Sequence, residues 1–137
     1  MKVIFQSEKI FLRTTLKNAS LMPKSFLKQP FEKIKDEILG KNFEVSIVLI
    51  GKDYSNFLNK TYRKKDYPTD TLSFSFSSLS GEIFLTPEIA KKKSKDFELS
   101  FSDYLLFLLI HSFLHLKGLD HGKKMEAQEQ KYFSKFK

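Results

Sequence analysis

The chain has 137 residues, of which 41% are hydrophobic and none is cysteine. That is too apolar for disorder, enough for one domain with its own core, and it excludes disulfides and thiolate metal sites. The 24 Lys and Arg against 16 Asp and Glu give a formal charge of +8, which favours a polyanionic partner unless it is a lysine bias alone.

No charged segment followed by an apolar one opens the chain, so no signal peptide is expected. The longest apolar run, Tyr104 to Ile110, is far short of the ~20 residues that span a bilayer. With no cysteine, the expectation is a cytoplasmic protein with no membrane partner.

Val3 to Phe5 predicts a short strand, and Ile10 to Leu12 extends it or pairs with it. Ser20 to Pro30 carries two prolines and predicts a connection with one helical turn after Pro23. Phe31, Ile34, Ile38 and Leu39 follow a helical period that Gly40 stops. Phe43, Val45, Ile47 and Leu49 alternate, and Val48 and Ile50 make the other face apolar, as in a central strand. Asp53 is the expected cap of the next helix, with Tyr54, Phe57, Leu58 and Tyr62 as its buried stripe. That helix closes on Arg63-Lys64-Lys65, at the negative end of its dipole. Residues 66–70 are loop.

Thr71 to Ser77 alternates Leu72, Phe74 and Phe76 with small polar residues, a strand with one polar face. Leu79-Ser80-Gly81 predicts a hairpin turn into a return strand over Glu82 to Leu85. Thr86-Pro87-Glu88 starts a helix that runs through Lys91 to Lys93 and stops before Phe97. Ser100 or Ser102 caps the next helix, apolar nearly all round from Tyr104 to Leu116 and so expected at the centre of the fold. Lys123 to Phe136 is a final, mostly polar helix. Strands and helices interleave. The expectation is a single α+β (mixed α/β) domain over residues 1–137, with a small mixed sheet of about four strands and about five helices.

All three histidines fall within His111 to His121, in the pattern H-x-x-x-H-x-x-G-x-x-H. On a helix His111 and His115 are one turn apart and leave the same face. Gly118 can take φ > 0 and turn the chain back, so that His121 returns to the same point. Three imidazoles at three corners of a tetrahedron leave the fourth open for water, as a catalytic zinc requires. A buried helix end with histidines bonded to carbonyls is the competing reading, and it does not account for the third residue. The spacing is metalloprotease-like. Metzincin peptidases, however, carry a Glu general base beside the first ligand, where this chain has Ser112. A hydroxyl cannot take a proton as a carboxylate does, so a different scissile bond is expected.

Arg63 is one of two arginines in a lysine-rich chain. It either grips a phosphate with two parallel bonds or braces the loop by pairing with Asp66 or Asp70. Lys64 and Lys65 are a solvated helix end or contacts to an RNA backbone. Asp120 either caps a turn or orients a ligand imidazole.

Leu58-Asn59, Tyr62-Arg63, Lys65-Asp66, Pro68-Thr69-Asp70 and Leu72-Ser73-Phe74 together resemble the first signature of the YbeY family, bacterial endoribonucleases and rRNA maturation factors. The histidine stretch resembles its second, H-G-x-L-H-L-x-G-Y-D-H. The likeness spans about residues 43–121. It implies a zinc-dependent, single-strand-specific endoribonuclease of ribosome biogenesis, active in maturation of the 16S rRNA 3′ end and in ribosome quality control. Its implied partners are single-stranded rRNA and the ribosome or its small subunit. Its implied ligands for one Zn2+ are His111, His115 and His121, although imidazole suits other divalent metals. Arg63 matches the family's functionally important arginine. Ser112 replaces a glycine and Leu119 a tyrosine. The Ser112 hydroxyl is expected near the metal, where it alters water placement. Two alternatives stand beside this reading: a metzincin-like zinc hydrolase of another substrate class, and a non-catalytic ribosome-associated module with a structural metal.

Overall fold

Alternating apolar residues recur in five short stretches, and all five pair into one sheet. The computed structural model describes residues 1–17 and 22–137; Ser20 and Leu21, the first residues of the predicted connection, lie outside the described residues. The elements are β1 (Lys2–Gln6), β2 (Ile10–Thr14), α1 (Lys24–Leu27), α2 (Phe31–Leu39), β3 (Glu44–Leu49), α3 (Lys52–Arg63), β4 (Thr71–Ser77), β5 (Ser80–Leu85), α4 (Pro87–Asp96), α5 (Phe101–Lys117) and α6 (Lys123–Phe136). The sheet order is β1-β2-β3-β5-β4. The three inner strands are parallel to one another, while β1 and β4 run antiparallel at the two edges. The architecture is α+β, as expected, with five strands rather than four. The difference lies at the start of the chain, where residues 2–6 and 10–14 are two strands paired to each other.

One face of the sheet carries Ile10, Leu12, Val45, Ile47, Leu49, Ile83 and Leu85, and α5 packs into it through residues such as Leu105, Leu109 and Phe113. This helix buries ten of its 17 residues, on more than one side, because α1, α2, α4 and α6 also pack against it. It is the central helix that its all-round hydrophobicity predicts. The Ser100 Oγ caps it by accepting the Asp103 N–H at 3.0 Å. Among the described residues, no single helix is long and apolar enough to cross a membrane.

Two turn assignments shift. The reversal between β4 and β5 falls at Ser78-Leu79, and Gly81 lies inside β5. A Cβ on Gly81 would stand 2.7 Å from the Leu116 side chain. The glycine is there so that α5 can approach the sheet closely. Asp53 is not the cap of α3; Gly51 holds that position and Asp53 sits in the first turn, where its charge suits the helix dipole.

On the opposite face, α3 covers Val48, Ile50 and Leu72 with Leu58, and Phe74 and Phe84 pack beside them. The predicted aromatic stripe of α3 is not buried. The helix buries Ser55, Leu58 and Asn59 instead, leaving Tyr54, Phe57 and Tyr62 at 46%, 58% and 59% exposure. Hydrogen bonding explains the rotation. Ser55 Oγ donates to the Thr69 carbonyl and accepts the Thr69 N–H, both at 2.9 Å, and Asn59 donates to the Tyr67 carbonyl at 2.8 Å. Those bonds tie α3 to loop 66–70 through its small polar residues, and a buried polar group without such partners would be costly. Tyr62 is accordingly not a core residue.

Candidate metal centre

His111 and His115 stand one turn apart near the end of α5. The helix stops where Gly118 takes φ 107°, and the Gly118 and Leu119 N–H groups bond back to the His115 and Leu114 carbonyls. A side chain is strained at that φ, so glycine decides the exit direction of the chain. The turn brings His121 back, and one ligand atom from each of the three imidazoles lies within 4.8 Å of the others.

The ring orientations are set from outside. The Glu129 carboxylate lies 2.5 Å from His111 Nδ1 and the Leu119 carbonyl 3.1 Å from His115 Nδ1. Both acceptors hold a proton on Nδ1, so in neutral rings the two Nε2 lone pairs point inward. Those two Nε2 atoms are 3.1 Å apart. Lone pairs at that distance repel unless a proton or a metal cation lies between them. A tetrahedral zinc with bonds of about 2.0–2.1 Å spaces its nitrogens by about 3.3 Å. The donor set therefore fits a divalent metal of the zinc class.

Burial first, then the neighbouring His111 and His121, hold His115 below its ordinary value of 6.5. Unfolding restores that value. Between the two values the unfolded chain binds the extra proton, so stability falls as the pH drops below 6.5. The His115 share of the loss is complete once pH passes below the folded value. Chelated protein is expected to melt lower at about pH 5.5 than at about pH 7.5, with the gap narrowed by His115→Gln. An equal gap in the two proteins contradicts this account.

The histidines open onto a cleft of about 480 Å³ that Arg63, Lys65 and Asn59 also line. Arg63 reaches it from the last turn of α3. One N–H is donated to the Ser73 carbonyl of edge strand β4 at 3.0 Å, and the guanidinium lies 5.1 Å from the centre of the Phe74 ring. This uses one of five donors. Of the two readings of Arg63, the Arg–Asp brace is not formed: Asp66 meets Asn56 and Lys60, while Asp70 accepts the Tyr104 hydroxyl at 2.7 Å. Lys65 is at the cleft; Lys64 is the left-handed residue that ends α3 and is not part of the lining.

A family model described as Endoribonuclease YbeY matches residues 11–137. The chain belongs to the YbeY family. A Thermotoga neapolitana protein named Endoribonuclease YbeY is 37% identical over 102 residues, which covers 72% of this chain and 68% of that one. One of the same name from Malacoplasma penetrans is 41% identical over 104 residues, covering 71% and 66%. The solution structure of TM1509 from Thermotoga maritima matches with a TM-score of 0.63 and 30% identity, covering 91% of this chain and 87% of the other.

The structure also places Ser112, whose hydroxyl was expected near the metal, and Asp120, read as either a turn cap or an acceptor that orients a ligand. Ser112 is fully buried and is not part of the cleft lining, its hydroxyl 2.8 Å from both the Leu108 carbonyl and Thr71 Oγ1. One residue is a 100° step around a helix, so the neighbour of an inward ligand faces elsewhere. Asp120 is exposed, and the acceptors on His111 and His115 are Glu129 and the Leu119 carbonyl.

Glu129 belongs to neither sequence motif. Its signal is a carboxylate at a helical spacing shared with the buried Met125, Tyr132 and Phe133, on the apolar face of an otherwise polar helix. Glu129→Gln is expected to weaken metal affinity by about 10–100-fold, read by competition with a chromophoric chelator. Unchanged affinity would mean that the His111 ring is held by packing alone.

Proposed function

We propose that this YbeY-family chain is a zinc-dependent endoribonuclease that cuts single-stranded RNA, with ribosomal RNA as substrate. The observation that carries the proposal is the convergence of three imidazoles in a cleft that also holds Arg63. The curated relatives that carry the name Endoribonuclease YbeY supply the substrate class.

His111, His115 and His121 would hold the ion. When bound, a divalent ion supplies Lewis-acid polarisation of a phosphoryl oxygen and a nucleophile at neutral pH. The remaining steps belong to the chain itself. Arg63, at the cleft wall, donates N–H bonds to the phosphoryl oxygens as charge builds on them in the transition state. Lys65 holds the neighbouring backbone without reading sequence. Glu129 and the Leu119 carbonyl keep the ligand rings in one tautomer. The proposal extends to maturation of the 16S rRNA 3′ end, ribosome quality control, association with the small subunit, and a cytoplasmic location.

The peptidase alternative lacks its base, because Ser112 is buried against Thr71 and Glu129 is engaged with His111. A structural metal is disfavoured because the three donors face an open cleft, whereas structural zinc is closed by four protein ligands.

The test is digestion of a single-stranded RNA, its duplex and an unstructured peptide, with and without chelator. Only the single strand is expected to be cut, and only by metal-loaded protein. Cleavage of the peptide, or RNA cleavage indifferent to chelator, overturns the proposal.

A further inference from the structure

The exposed rings of α3 form one run with two rings of the sheet. Tyr62 meets Phe74 at 5.3 Å between centroids, Phe74 meets Phe84 at 5.9 Å, and Phe84 meets Tyr54 at 6.2 Å. Tyr54 then stacks on Phe57 at 6.0 Å with their planes 15° apart. The run begins at the cleft, because Arg63 both lines the cleft and lies over Phe74. Connected aromatic surface of this kind is uncommon on a soluble chain unless something binds there.

Charge selects the occupant. From Lys52 to Asp66 there are five cations (Lys52, Lys60, Arg63, Lys64 and Lys65) against two acids (Asp53 and Asp66). Surfaces that dock proteins are depleted in lysine. Rings interleaved with cations are how single-stranded nucleic acid is held: bases stack on the aromatic faces and the cations track the phosphates.

We propose that the outer face of α3, with Tyr54, Phe57 and Tyr62, is a subsite where bases of a single strand stack as it leaves the cleft past Arg63. This rests on the nuclease reading for what enters the cleft. It adds a binding track on the opposite face of the sheet from α5, and it makes affinity depend on strand length more than on base identity.

The experiment uses metal-loaded wild type and a Phe57→Leu, Tyr62→Leu double variant. Leucine keeps the apolar surface and a good helix propensity but removes the stacking faces. Binding is read by fluorescence anisotropy on single strands of about 12 and about 3 nucleotides, with 2′-O-methyl sugars to slow cleavage. Circular dichroism confirms that the variant is folded. The longer strand is expected to bind the variant about tenfold more weakly, with a much smaller loss for the shorter one. Equal affinity of the two proteins for the longer strand overturns the subsite. Weakened binding by the variant alongside a wild type that binds but never cuts RNA supports the subsite and overturns the nuclease reading. A wild type that does not bind the strand overturns both.

Discussion

His115→Ala is expected to leave the purified protein without stoichiometric metal and to lower RNA cleavage by at least about a hundredfold, since loss of a ligand exceeds the loss of its supporting partner. His115 is the middle donor of the set. Its Nε2 faces that of His111, and its Nδ1 is held by the carbonyl of the turn that returns His121. Without it, two nitrogens from different segments remain, too few to hold the ion in competition with water. The fold should persist, because alanine is the best helix former and the imidazole is not part of the apolar core. Elemental analysis, a cleavage assay and a thermal melt in chelator check the three parts. Full metal content in the folded variant would refute the ligand set.

Arg63→Ala separates chemistry from metal binding. The variant is expected to keep its metal and to lose about 10²–10³ in kcat, the range for removing one donor that meets transition-state charge. Its structural contribution is modest. An exposed hydrogen bond to the Ser73 carbonyl and a contact with the Phe74 ring are together worth about 1 kcal/mol. Arg63→Lys should recover little of the rate, because an ammonium lacks the planar fork. A variant that melts far below wild type, or that loses its metal, would make Arg63 a brace for β4 instead.

What could be read in the chain depended on how locally each feature is encoded. His111, His115, Gly118 and His121 lie within eleven residues, and one helical turn followed by the Gly118 reversal brings them together. The central strand β3 and the largely apolar α5 are equally legible, because burial on more than one side leaves little polar surface in the sequence. Contacts made between elements were not legible. Glu129 reaches His111 from α6; its place on the buried face of that helix is legible, but not the ring that it meets. The rings of α3 looked like its core stripe, yet Ser55 and Asn59 won the buried face by bonding to loop 66–70. Gly81 looked like a turn because the close approach of Leu116 is a fact of packing. Ser112 stands next to a ligand in sequence, yet one step around the helix buries it against Thr71 and leaves it out of the cleft lining.

X-ray absorption at the metal edge of the purified protein tests the account most directly. One divalent ion per chain should show three imidazole nitrogens at about 2.0–2.1 Å and a further oxygen from solvent. An ion with four ligands all from the protein, or imidazole scattering that survives in His115→Ala, would contradict it.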